Sequence, residues 1–129
     1  MIAYLDSSAF VKLIKEEDES AALAEALRAW PERASSRLLR VEVMRAAHLA
    51  GPEAAERAET LLRDVALLPL SEPVLERAIE TRPAAVRTLD AIHMASALAL
   101  GADLGVLLTY DERMRDAARR ASIETLTPR

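Results

Sequence analysis

The sequence predicts an α/β fold whose mostly parallel sheet of four to five strands is covered by helices on both faces. Three observations carry that reading. Short apolar runs alternate along the chain with longer helical patterns, as strand–helix–strand units require. The hydrophobic content is 51% with only 3% aromatic residues, so the core is built from Ala, Leu and Val. Ala and Leu favour helix, and more helix than strand is expected. Two of the apolar runs also end on an aspartate at the point where a helix begins.

Taken in order, MIAYLD is a short apolar strand ending at Asp6, and SSAFVKLIKEE reads as a helix over 7–17. DESAALAEALRAW gives a second helix over 18–30, closed by Pro31, and ERASS (32–36) is a short strand or a turn. The helical pattern from Ser36 to Ala50 stops at Gly51-Pro52. Pro52 suits the first turn of the next helix, which runs to about Asp64. VALLPL (65–70) is strand-like, and SEPVLERAIE (71–80) opens on a capping serine and reads as helix. Arg82-Pro83 breaks it. TLDAIHMASALAL (88–100) is a nearly all-apolar helix ended by Gly101. GVLLTY (105–110) is a buried strand, DERMRDAARRA (111–121) a polar helix and SIETL (122–126) a last short strand. In such folds ligands sit beyond the carboxyl ends of the strands at a topological switch point, which is where Asp6 and Asp111 are expected.

Length bounds the chain to one domain, residues 1–129. The absence of cysteine excludes a disulfide framework, a thiolate zinc site and a cysteine nucleophile. No apolar run approaches the roughly 20 residues that span a bilayer. MIAYLD lacks the basic start of a signal peptide, so a cytoplasmic protein with no membrane association is expected. The net charge of −4 counts against a nucleic-acid binder. Fifteen of the 17 basic residues are Arg, however, which suits bidentate phosphate contacts, although genomic base composition gives the same bias.

Four acids stand out. Asp6 and Asp111 each follow a strand and precede a helix, where an aspartate serves as an N-cap or as a site residue. Glu42 is flanked at helical spacing by Leu38, Leu39, Ala46 and Leu49, on or beside the apolar stripe. A carboxylate there needs a metal, hydrogen bonds or an internal ion pair such as one with Arg45. Asp90 lies in the first turn of the most apolar helix, with His93, Met94 and Ala97 at i+3, i+4 and i+7. The helix dipole favours it as a cap, but Thr88 is an equally good cap, which frees Asp90 for other work. Convergent carboxylates repel one another and raise their pKa values, and a hard divalent cation removes that penalty.

The segments YLDSSAFVKL, SSRLLRVEVMRA, RTLDAIHMASAL and LLTYDERM resemble, in order and spacing, the four acidic motifs of PIN domains. They are most similar to the VapC toxins of VapBC toxin–antitoxin pairs. The likeness runs from Asp6 to Asp111. It implies a three-layer α/β/α sandwich and RNA cleavage dependent on Mg²⁺ or Mn²⁺, with metal-activated water as the nucleophile. By that resemblance Asp6, Glu42, Asp90 and Asp111 are the catalytic metal ligands, and Ser7 and Thr109 carry hydroxyl groups beside them. The resemblance also implies a VapB-type antitoxin as partner and a homodimer, alone or within a larger toxin–antitoxin assembly.

Other residues admit two readings. His93 and His48 could act as bases, but a partly buried histidine hydrogen-bonded in the core is the simpler account, and metal-acidified water needs no histidine. Arg37, Arg40 and Arg45 flank Glu42, and Arg115 follows Asp111. Arg87 precedes Asp90 and Arg113 follows Asp111, so both are candidates for a phosphate-holding rim, with solvated faces or salt bridges as the alternative. Phe10 and Trp30 are core or interface residues rather than base-stacking platforms. Phe10, Val11, Ile14, Leu23, Leu27 and Trp30 outline an apolar groove between the first two helices that would suit a partner helix.

Competing chemistries fit poorly. A haloacid-dehalogenase-type phosphatase needs a second acid where Ser8 stands, and a receiver domain needs an aspartate that VALLPL does not supply. Three glycines cannot build a dinucleotide or P-loop phosphate cradle. A non-catalytic PIN-like interaction module is the remaining alternative. Its mark would be a missing acid, and all four acids are present.

Overall fold

The computed structural model describes residues 1–129. The chain runs β1 (Ile2–Leu5), α1 (Ser7–Ile14), α2 (Ser20–Leu27), β2 (Arg33–Ser36), α3 (Arg37–Ala50), α4 (Pro52–Leu62), β3 (Ala66–Leu68), α5 (Glu72–Ile79), α6 (Thr88–Ala99), β4 (Leu104–Leu108), α7 (Glu112–Arg120) and β5 (Thr125–Leu126). The segment ERASS, open between strand and turn in the sequence, contributes β2. All five strands pair in parallel, so the sheet has no antiparallel member.

The order is β3-β2-β1-β4-β5. The chain builds outward from β1 to β3 and then returns to add β4 on the other side of β1. That reversal leaves a crevice between the carboxyl ends of β1 and β4, which is the switch point of an open parallel sheet. Side chains alternate across the sheet. Ala3 and Leu5 of β1 join Val106 and Leu108 of β4 in a core with Phe10, Leu23, Leu39, Val43 and Ala58 from α1 to α4. Tyr4 and Leu107 point the other way, toward Met94 and Ala97 of α6 and Met114 and Ala117 of α7. The strands read as continuous apolar runs because both faces are covered.

Two helices are shorter than their patterns suggest. α1 ends at Ile14 because Lys15 is extended, at φ −108° and ψ 123°. The acidic stretch after it folds as a turn in which the Ser20 hydroxyl accepts the Glu17 N–H at 2.8 Å. α2 ends at Leu27, where Arg33 donates to the carbonyls of Leu27 and Trp30 at 2.9 Å each. The expected groove between these helices is closed, because Phe10, Ile14, Leu23 and Leu27 are packed into the core. Trp30 is half-buried against the same core. Gly105 is fixed by that ring: a Cβ there would lie 2.4 Å from Trp30 Cζ3.

The buried stripe of α3 also differs from expectation. It is Leu39, Val43 and Ala47, spaced at i+4, while Ala46 and Leu49 face outward and Leu49 is 92% exposed. Glu42 is half-buried beside this stripe, one of the two positions its spacing allowed.

Candidate active site

Asp6 leaves the end of β1 as the N-cap of α1. Its Oδ1 accepts the Ala9 N–H at 3.0 Å and the Ser8 hydroxyl at 2.6 Å, and its Oδ2 accepts the Thr109 hydroxyl. Only 1% of the residue is exposed. Burial pushes its carboxyl up from the ordinary value, and the three hydrogen bonds oppose that shift. Asp111, three residues past β4, caps α7 and accepts the N–H groups of Arg113 at 2.8 Å and Met114 at 3.1 Å through Oδ1. Capping leaves each of these aspartates a carboxylate oxygen with acceptor capacity to spare.

Glu42 is placed by a buried histidine. A carboxylate only accepts, so His93 donates Nε2–H to Glu42 Oε1 at 2.7 Å and accepts the Tyr4 hydroxyl on Nδ1 at 2.8 Å. His93 is 0% exposed, on the buried face of α6, as a satisfied core histidine should be. Burial holds the Tyr4 phenol well above its usual range, which keeps it a donor. The Arg45 pairing considered for Glu42 does not form, because Arg45 lies on the exposed side of α3. His48 is exposed on that helix, contrary to the core reading.

Asp90 stands apart in having no capping duty. Arg87 occupies the N-cap position of α6 and makes no side-chain cap, and Thr88, expected to cap, is already the first helical residue. The Asp90 carboxyl is raised by partial burial first, then by Asp111 and Asp6, with His93 opposing.

These four acids come from four elements and line one cavity of about 440 Å³ at the sheet reversal. Ser7 lines it as well. Thr109, fully buried, does not line it and donates its hydroxyl to Asp6 from behind. Arg87 and Arg113 are exposed and do not line it. No three of the acids are drawn close enough to clasp an ion as they stand. The donor set nonetheless fits a hard divalent cation, because it is all carboxylate oxygen and the charges of Asp111 and Asp6 already bear on Asp90.

Sequence reasoning passed over two residues here. Ser8, not Ser7, bonds Asp6, and it also accepts the Tyr110 N–H at 2.9 Å, tying the start of α1 to the segment after β4. Lys12 is the one basic residue lining the cavity. Their i, i+4 spacing on α1, two residues after a strand-end aspartate, is a signal that periodicity carries.

The sequence that builds this parallel α/β sandwich matches a known family. The profile of the PIN domain family matches residues 3–120, and the chain belongs to that family. It is 48% identical over 125 residues to Ribonuclease VapC46 of Mycobacterium tuberculosis, covering 97% of this chain and 96% of that one. It is 39% identical over 130 residues to Ribonuclease VapC47 of the same species, again covering 97% and 96%. Within the PIN family it is thus a member of the VapC ribonucleases. The fold is shared with a toxin–antitoxin complex from Klebsiella pneumoniae at a TM-score of 0.75 and 23% identity, covering 98% of each chain. VapC20 of Mycobacterium tuberculosis, described as a sarcin–ricin loop cleaving toxin, matches at a TM-score of 0.73 and 18% identity, covering 89% of this chain and 94% of that one.

Proposed function

We propose that this protein is an endoribonuclease, the toxin of a toxin–antitoxin pair, and that Asp6, Glu42, Asp90 and Asp111 hold one or two Mg²⁺ or Mn²⁺ ions at its catalytic site. The observation that carries this is the meeting of four carboxylates from the β1–α1 junction, α3, α6 and the β4–α7 junction in one cavity. Bound there, such an ion supplies charge neutralisation and an acidified water for attack on a phosphodiester. The protein's own part is placement. Asp6 is fixed by Ser8, Thr109 and the Ala9 N–H, Asp111 by the first turn of α7, and Glu42 by His93. Asp90, with no cap to make, is the acid freest to adjust. Cleavage leaves a 5′-phosphate and a 3′-hydroxyl. Arg87 and Arg113 sit within three residues of Asp90 and Asp111 and serve as an outer phosphate rim. Removing either charge should weaken RNA binding and its salt dependence, and unchanged binding in both variants would remove the rim.

A VapB-type antitoxin is the partner in this reading, supported by the toxin–antitoxin complexes among the structural neighbours. Its contact moves from the closed α1–α2 groove to the outward side of α1 and the end of α3, where Val11, Ala46, Leu49 and Ala50 line an apolar depression. A homodimer and a cytoplasmic location belong to the same reading. No helix is long and apolar enough to cross a membrane.

The test is cleavage of total bacterial RNA by partner-free protein in Mn²⁺, in Mg²⁺ and in EDTA, beside Asp90→Asn. Metal-dependent cleavage lost in EDTA and in Asp90→Asn is expected. Cleavage that persists in both would exclude this site. No cleavage by folded, metal-loaded protein would favour a PIN-like module that binds without cutting.

A further inference from the structure

The cavity holds a cation that the carboxylate chemistry does not use. Lys12 reaches into it from α1 with its side chain 12% exposed. Its ammonium lies 2.8 Å from Glu19 Oε2, 3.3 Å from Glu17 Oε2 and 4.7 Å from the centre of the Tyr110 ring. An ammonium has three donors, so two carboxylates leave one uncommitted. The two carboxylates are also unequal. Glu19 is the closer and less exposed partner, whereas Glu17 is farther, 37% exposed and itself part of the cavity lining.

A tether between α1 and the following turn would be served by arginine, the residue this chain uses 15 times in 17. Arg40 shows that use, gripping both oxygens of Glu59 at 3.0 and 2.8 Å. Lysine's compact charge instead allows one oxygen partner to be exchanged while the other stays. We propose that Lys12 grips a non-bridging phosphate oxygen of the RNA strand in the cavity, and that Glu17 occupies that phosphate's place until RNA arrives. Glu19 and the Tyr110 ring keep the ammonium aimed throughout, and Glu17 swings into solvent. This rests on the nuclease reading above.

The two roles separate by sign. If Lys12 and Glu17 only tether the turn, Lys12→Met removes the links to Glu17 and Glu19 and Glu17→Gln weakens one of them, so both loosen the turn and act in the same direction. If Glu17 competes with phosphate, they act in opposite directions. Apparent KM and kcat would be measured on total bacterial RNA in Mn²⁺ across a salt series, with melting curves for each variant. Lys12→Met is expected to raise KM about tenfold and to reduce the salt slope by about one, with kcat changing less than KM. Lys12→Arg should recover part of the loss, and Glu17→Gln should lower KM. An unchanged KM in Lys12→Met, or a raised KM in Glu17→Gln, would overturn the proposal. Should Lys12→Met fail to fold, the direction of the Glu17→Gln change decides alone. Wild-type protein that cuts no RNA would defeat the nuclease reading and this inference with it, whereas active wild type with unresponsive variants defeats only this inference.

Discussion

Ser8, in the first turn of α1, links the segments that follow β1 and β4 through one hydroxyl, donating to Asp6 and accepting the Tyr110 N–H, while its neighbour Ser7 faces the open cavity. Replacing Ser8 with Ala leaves a part-buried N–H and a buried carboxylate short of a partner. Urea unfolding should show a loss of about 1–3 kcal/mol for Ser8→Ala and a change within about 0.5 kcal/mol for Ser7→Ala. Equal effects would mean the hydroxyl at 8 has no special duty. The same logic reaches His93, whose two ring nitrogens link Tyr4 to Glu42. A histidine that orients a ligand typically accounts for tenfold or more in metal affinity. Titration calorimetry with Mn²⁺ should therefore show about a tenfold weaker site in His93→Gln. An unaltered affinity would leave Glu42 outside the ligand set.

Helix ends divide the acids into two kinds. Asp6 and Asp111 cap α1 and α7 as well as facing the cavity, whereas α6 begins without a side-chain cap and leaves Asp90 free. Asn caps as well as Asp but carries no charge. Asp111→Asn should keep wild-type stability while losing Mn²⁺ affinity and cleavage. Asp111→Ala should lose those and about 1 kcal/mol of stability besides. A stable, fully active Asp111→Asn protein would restrict Asp111 to capping.

Across the whole molecule, the crowded carboxylates couple folding to pH and to metal. Burial raises both Asp6 and Asp90, and the neighbouring acids raise Asp90 further. Between the ordinary carboxylate value and these raised ones, the folded state holds more protons than the unfolded state. Their contribution to stability is therefore present at low pH and falls as pH rises through that window. Glu19 and Glu59 are shifted downward by Lys12 and Arg40, so their contribution runs the other way. The informative quantity is then the difference between wild type and Asp90→Asn in EDTA. The variant should gain stability relative to wild type as pH rises to neutrality. Mn²⁺ at about 100 times its Kd should restore about 2.7 kcal/mol to the wild type and less to the variant. A parallel pH response in the two proteins would mean that Asp90 is not under charge strain.

The sequence alone determined the alternation of strand and helix, the parallel sheet and the four acids, because strand runs, helix periodicity and stop signals are local. Asp6 and Asp111 were legible as strand-end residues for the same reason. The helix ends around residues 15–19 and 27–30 were not, since Lys12 binds Glu19 after the first and the Arg33 guanidinium closes the second, contacts that periodicity does not contain. Nor was the true buried stripe of α3, because Ala46 and Leu49 are apolar enough to face either way. Only the folded structure decided which hydroxyl holds Asp6, which histidine holds Glu42 and that Lys12 shares their cavity. Those pairings join residues up to 103 positions apart in the chain, brought together by the reversal of strand order between β1 and β4.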